Sequence, residues 1–191
     1  HIGGNAYSEF DKETGIECHK YGAHLFHTSN EEVWRYVNQF TEFTNYVHRV
    51  YATHKREGAD RPEVFPMPVN LGTINQFFRA NYTPDEAKEL IKKQAANNPA
   101  TLEHREPENL AEQGISLIGE PLFNAFIKNY TAKQWQTPAE ELSPSIIKRL
   151  PVRYTYNNRY FRDKYEGLPK EGYEAWFKRM IEAGNSGEGS V

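Results

Sequence analysis

Strong helix-start signals recur along the chain and constrain its fold more than any other sequence feature. Residues 83–86, Thr-Pro-Asp-Glu, combine a threonine cap, a proline at the first helical position and a glutamate at the third. Residues 137–140 repeat this pattern. Residues 28–32 supply further capping side chains, and the apolar residues that follow them at helical spacing are Val33, Trp34, Val37 and Phe40. The chain is therefore predicted to be mainly helical.

One β-rich stretch interrupts the helices. Residues 46–53 and 63–69 are rich in β-formers and flank a polar, glycine- and proline-bearing segment, which predicts a hairpin. Pro66 and Pro68 place its second strand at a sheet edge, because proline donates no ladder hydrogen bond. Residues 152–161 also have the composition of a strand. Separate helices and strands favour an α+β fold, a helical bundle with a small antiparallel sheet, over a doubly wound one.

Helices are also predicted for residues 108–118, 120–130 and 173–182, with Gly119 between the first two. The helix over 120–130 carries one continuous apolar stripe, which consists of Leu122, Phe123, Phe126, Ile127 and Tyr130. This spacing predicts that the Tyr130 ring faces the core with the others.

Composition excludes several classes of function. Twenty-three basic and 26 acidic side chains give a net charge of −3, which argues against a surface built for nucleic acid or anionic lipid. No apolar run is long enough to span a membrane. A lone cysteine, Cys18, fits a reducing compartment, and we expect a cytoplasmic protein.

Three clusters have residue types suited to chemistry. His19, His24 and His27 lie close together, but no cysteine or acidic pattern completes a metal site. A structural role is the alternative for either histidine taken alone, and lining a cofactor or substrate cleft is the better interpretation of two of them beside glycines. Rings at Tyr130 and Trp135 suit stacking on a planar ligand or a sugar, although core packing is the commoner role of such rings. The basic, aromatic residues 148–161 suit a diphosphate; solvated surface charge and RNA stacking are the alternatives.

Taken together, these clusters resemble the UDP-galactopyranose mutase family, flavoenzymes that interconvert UDP-galactopyranose and UDP-galactofuranose. The resemblance rests on His-Ile-Gly-Gly-Asn-Ala-Tyr at residues 1–7, on Tyr-Thr-Ala-Lys-Gln-Trp at 130–135, and on matching stretches at 20–28, 68–71, 73–78, 147–153, 158–161 and 169–173. Their order and separation also agree with the family over nearly the whole chain.

The resemblance implies an enzyme with a Rossmann-like FAD domain, a helical bundle and an antiparallel sheet, of which this chain matches the middle. In the family, N5 of reduced FAD attacks the anomeric carbon and expels UDP, and the flavin–sugar adduct lets the ring reclose. We expect the chain to be a fragment with the FAD domain largely missing. Its expected task is to supply UDP-sugar binding, and the isolated chain is expected to lack stable FAD and turnover.

The resemblance assigns roles to individual residues. Arg149 matches an arginine on a mobile loop that closes on the diphosphate, and Tyr160 matches a tyrosine that bonds a phosphate. His24 and His27 match histidines near the flavin ring, and with Arg149 they form the predicted catalytic set. The flavin-contacting turn corresponds to Gly3, Gly4 and Asn5, with His24 beside it.

The substrate-binding residues are also implied by the family. Tyr130 matches a tyrosine that stacks with uracil, and Trp135 a tryptophan beside the sugar. The uridine pocket corresponds to Phe126 and Ile127, with Thr131 adjoining and His48 as a further contact.

Three positions depart from the family pattern. His48 stands where some relatives have asparagine near the uridine, and Ile127 replaces an aromatic residue found in some members. Gln136 follows the tryptophan where glycine is frequent, which is expected to alter a loop hinge.

These assignments predict a domain organisation. Residues 1–28 are expected to be a remnant of the FAD domain, 29–150 a helical substrate-binding domain with a hairpin at about 46–69, and 151–183 a strand and a helix. Residues 184–191 have the composition of a linker. A homodimer is a possible assembly. The alternative functions are a non-catalytic, aromatic-lined module for glycans or nucleotides, and a flavoprotein of the amine-oxidase type.

Overall fold

The computed structural model describes residues 2–148 and 150–186. The chain divides into two compact units. Unit 1 consists of two segments distant in sequence, His1–His48 and Phe161–Val191, and unit 2 is the continuous segment Arg49–Tyr160. Unit 2 is therefore inserted into unit 1.

The described residues of unit 1 form two small antiparallel sheets and two α-helices. Strands β1 (Ser8–Phe10) and β2 (Glu17–His19) form a hairpin, and β3 (Phe26–Thr28) pairs with the distant β6 (Tyr165–Gly167). Helix α1 (Glu31–Val37) begins at Asn30, whose side chain accepts from two backbone N–H groups of the first turn. Helix α8 (Gly172–Ser186) supplies Tyr173 and Trp176 to an aromatic core with Val37.

Unit 2 begins with the predicted hairpin. Its strands are β4 (Val50–His54) and β5 (Glu63–Met67), paired antiparallel from Val50 opposite Met67 to His54 opposite Glu63. The hairpin prediction is confirmed, although residues 46–49 lie outside the strand. Phe65 points from β5 into the main core of unit 2 and is fully buried.

Helices make up the rest of unit 2. Helix α2 (Leu71–Phe78) begins with a capping box of Asn70 and Thr73, and α3 (Pro84–Ala95) begins with the predicted box of Thr83 and Glu86. The remaining helices are α4 (Pro99–Leu102), α5 (Leu110–Ile118), α6 (Glu120–Phe123) and α7 (Asn129–Trp135). The predicted fold class is confirmed, with three two-stranded sheets among the described residues.

The strand predicted for residues 152–161 is wrong. Within this segment only Arg153 and Arg159 form isolated bridges, with Asn70 and Arg49 respectively. The buried Arg153 guanidinium donates to the carbonyl oxygens of Asn157 (3.2 Å), Arg159 and Tyr160 (3.0 Å). Because one side chain gathers these three carbonyls, the backbone folds around it as a loop.

Candidate functional site

A π-helical segment, Asn124–Lys128, connects α6 to α7. In a π-turn the hydrogen bond runs from i to i+5, so one residue more than in an α-turn is accommodated. Phe126 is 9% exposed and the next buried residue is Thr131, five positions on, at 5%. The extra residue therefore shifts the buried face by one position.

This shift overturns the predicted orientation of Tyr130. In a straight α-helix Tyr130 would follow Phe126 by four residues and face the core. In the structure Tyr130 is 68% exposed, whereas Phe123 and Phe126 are buried. The prediction failed because an apolar periodicity contains no signal for an inserted residue. The structure thus brings Tyr130 to the surface, as stacking on a ligand requires.

Phe126 is surrounded by other rings of unit 2. The ring centroids of Phe65, Phe77 and His54 lie 5.0, 5.6 and 5.8 Å from its own. Because the Phe126 side chain is packed in the core, any contribution of this residue to the predicted uridine pocket would come from its backbone. Ile127, the next residue, is half-buried.

Trp135 ends α7 with its indole 52% exposed. Gln136 follows in a left-handed conformation (φ 52°, ψ 31°), which glycine adopts more readily than other residues. Its side-chain amide donates to the carbonyl of Lys133 at 2.7 Å and so closes the helix end. Gln136, which stands where glycine is frequent in the family, therefore has a backbone conformation that suits glycine better, next to the exposed Trp135 ring.

Tyr160 is held through its backbone by Arg153, and its ring remains about half-exposed. Arg153 belongs to the basic cluster that the sequence associates with a diphosphate. The structure uses its guanidinium internally instead, on the loop that carries Tyr160. Arg149, the predicted phosphate-closing arginine, lies outside the described residues.

In unit 1, the predicted cofactor turn is open. Gly3 and Gly4 have φ values of 104° and 52°, both in the left-handed region, and a short 3₁₀ turn, Gly4–Ala6, follows. A Cβ added at Gly4 would meet no atom within 4 Å, and Gly4 and Asn5 are exposed. An open, glycine-bearing turn of this kind suits the close approach of a dinucleotide.

His19 and His24 are joined by a hydrogen bond, and further hydrogen bonds hold His24 in place. The backbone N–H of His24 donates to Nδ1 of His19 (3.1 Å), and its carbonyl accepts from the Tyr173 hydroxyl (2.9 Å). Nδ1 of His24 donates to the carbonyl of Gly22 (2.9 Å). Burial raises the pKa of Tyr173, so this phenol stays protonated and donating. The His24 backbone is thereby fixed at both ends.

His27 and His48 lie against the same ring, Phe161. The His27 imidazole stacks on it with centroids 3.7 Å apart and planes within 15°, and the His48 centroid lies 6.0 Å from it. Nδ1 of His27 also lies 2.8 Å from a carboxylate oxygen of Asp163. Phe161 was predicted only as the last residue of the basic, aromatic cluster, and Asp163 was not predicted as a site residue. Asp163 is 136 positions from His27, and no local pattern in the sequence indicates the pairing.

Among residues 2–148 and 150–186, no group of three or more metal-ligating side chains is close enough to hold an ion. No helix in the same part of the chain has the length and apolar character needed to cross a bilayer.

Two family models match different parts of the chain. Residues 125–186 match a family model described as UDP-galactopyranose mutase, and residues 1–40 match one described as an NAD(P)-binding Rossmann-like domain. The chain is 47% identical over 183 residues to a probable UDP-galactopyranose mutase of Klebsiella pneumoniae. The chain is a relative of UDP-galactopyranose mutase. The resemblance inferred from the motifs is confirmed.

Two further relatives set the range of this similarity. A dTDP-fucopyranose mutase of Escherichia coli is 40% identical and a UDP-galactopyranose mutase of Mycoplasma genitalium is 29% identical, each over 95% of the chain. The chain covers 44%, 45% and 43% of the Klebsiella, Escherichia and Mycoplasma proteins, so it spans less than half their length.

Proposed function

We propose that this chain provides the UDP-sugar-binding part of a flavin-dependent UDP-galactopyranose mutase, an isomerase. Similarity over almost the whole chain to two mutases of that name supports the substrate class. The observation that carries the proposal is the exposure of Tyr130 and Trp135 at one helix, because large rings in solvent lack the core role that would otherwise explain them.

The residues that the resemblance assigns to the substrate have separate tasks in this proposal. Tyr130 stacks on the uracil, and Trp135 packs beside the sugar. The Tyr160 hydroxyl donates to a phosphate oxygen, and Arg149 neutralises the charge that develops when the diphosphate leaves. Together these groups would hold the anomeric carbon in place for attack, which lowers the entropic part of the barrier.

FAD is the cofactor that this function implies. Its chemistry, in the reduced state, is to supply a nucleophile for the anomeric carbon of the sugar. The open turn at Gly3, Gly4 and Asn5 fits the approach of a dinucleotide, and the match of residues 1–40 to a Rossmann-like domain supports that use. His24 and His27 would line the ring of the cofactor.

Titration of the full chain with UDP tests the proposal. Fluorescence of Trp135 should change at up to millimolar UDP, and free galactose at the same concentration should leave it unchanged. Trp135→Phe separates this signal from Trp34 and Trp176. No response to millimolar UDP contradicts the proposal, and a response to free glycans in its place favours a glycan-binding module.

A dTDP-sugar is the second candidate substrate, since one relative at 40% identity is a dTDP-fucopyranose mutase. The same titration with dTDP decides between the two nucleotides. Tighter binding of dTDP than of UDP would assign the chain to the second substrate class.

A further inference from the structure

A contact between two distant segments of unit 1 joins His27 to Asp163. Strand β3 carries His27, and its pairing with β6, in the register Phe26 to Gly167 and Thr28 to Tyr165, brings the segment before β6 alongside. Nδ1 of His27 then lies 2.8 Å from Oδ2 of Asp163. The pairing of two strands distant in sequence thus creates the contact.

Asp163 is itself fixed by a second hydrogen bond. The Ser29 hydroxyl donates to the other carboxylate oxygen, Oδ1, at 2.8 Å, and accepts in turn from the backbone N–H of Lys164 at 3.2 Å. The bonds from Ser29 and from His27 hold the pKa of Asp163 below its usual range, so the carboxylate is ionised. An ionised carboxylate only accepts, and His27 must therefore carry a proton on Nδ1.

The plane of the imidazole is determined separately. Phe161 stacks on it at 3.7 Å with only 15° between the planes. One contact thus fixes the ring's plane and the other its rotation within that plane. In the neutral ring, the lone pair is then left on Nε2.

Stability is a poor explanation for this arrangement. The His27 and Asp163 side chains are 40% and 30% exposed, and ion pairs so open to solvent stabilise a fold little. The other charged groups of these strands have partners of their own: Lys164 pairs with Glu31, and Glu166, opposite His27 in the ladder, also has one. Orientation of the imidazole is the effect that the geometry does produce.

We infer that Asp163 is a positioning residue, which fixes His27 in the Nδ1–H tautomer and so leaves Nε2 as the hydrogen-bond acceptor for a bound molecule. The ligand class is a group that donates an N–H or O–H hydrogen bond, such as a ring N–H of the cofactor. The inference rests on the proposed function for the identity of that molecule. The tautomer itself follows from the contacts described.

Nitrogen NMR of the histidine rings in the full chain tests the inference. At about pH 8.5, well above the ordinary imidazole pKa of ~6.5, His27 should show a protonated Nδ1 and an unprotonated Nε2. Asp163→Ala should shift the ring towards the Nε2–H form while the circular dichroism spectrum is kept. Glu31→Gln, which alters a nearby carboxylate that does not contact the ring, should leave the tautomer unchanged.

Two results would overturn the inference. One is an Nε2–H tautomer in the unmodified chain, a measurement that needs no variant to fold. The other is an Nδ1–H tautomer that persists in a folded Asp163→Ala chain. Neither result depends on nucleotide binding, so a chain that ignores UDP yet shows the expected tautomer would refute the proposed function and leave the role of Asp163 standing.

Discussion

Truncation of Tyr130 tests whether the π-helical segment turns this ring outward for a ligand. Complete burial of a large aromatic ring makes its replacement by alanine cost about 3–5 kcal/mol. Only about a third of Tyr130 is buried, so Tyr130→Ala should lower the free energy of unfolding by about 1 kcal/mol. Phe126→Ala, in the same helix but buried, should cost about 3–5 kcal/mol.

UDP binding should show the opposite order: Tyr130→Ala should weaken it more than Phe126→Ala does. Loss of a base–aromatic stack costs about 1–3 kcal/mol, so Tyr130→Ala should raise the Kd for UDP roughly 5- to 150-fold. Tyr130→Phe keeps the ring and should retain most of the affinity. Urea denaturation followed by circular dichroism gives the stabilities, and the fluorescence of Trp135 gives the affinities.

Two outcomes would contradict different parts of this reasoning. If Tyr130→Ala destabilised the chain as much as Phe126→Ala, the ring would be a core residue on a straight α-helix. If stability matched expectation but Kd for UDP stayed unchanged, the outward orientation would hold and the role in base stacking would not.

Three further predictions concern stability. Gly114→Ala should destabilise by about 1–3 kcal/mol in a thermal melt, because the new Cβ would lie 2.5 Å from the buried Phe123 ring and this crowding outweighs the ~1 kcal/mol gain in helix propensity; a raised Tm would contradict it. Thr83→Ala should cost about 1 kcal/mol in urea through loss of the capping box, and no change would mean that α3 begins elsewhere. Arg105 donates two hydrogen bonds to the Glu112 carboxylate and lowers its pKa. The pair therefore contributes its full stability above the ordinary glutamate pKa of ~4.3, and this contribution is lost as the pH falls through the lowered pKa. Glu112→Gln should flatten the pH–stability curve in that acidic range.

Local signals in the sequence predicted the local features of this fold. The capping side chains at Asn30 and Thr83 start helices where expected, because a cap acts on N–H groups two or three residues away. The hairpin of β4 and β5 was also predictable, since both strands and their connection lie within 18 residues. Errors of a few residues at its ends are usual for such patterns.

The candidate site was less predictable because its geometry depends on events that periodicity and propensity do not encode. An extra residue in the helix exposes Tyr130, and a buried guanidinium at Arg153 converts an apparent strand into a loop. Asp163 reaches His27 only through the pairing of β3 with β6. The residue types were visible in the sequence, but their directions required the tertiary contacts.

The placement of unit 2 within the sequence of unit 1 has an evolutionary consequence. Arg49 and Arg159, next to the two ends of unit 2, bridge to each other, so the segment leaves close to where it entered. A module whose entry and exit coincide can be exchanged for another without rerouting the host chain. Unit 2 therefore has the topology of a segment that evolution can replace as a whole while the flanking segments stay unchanged.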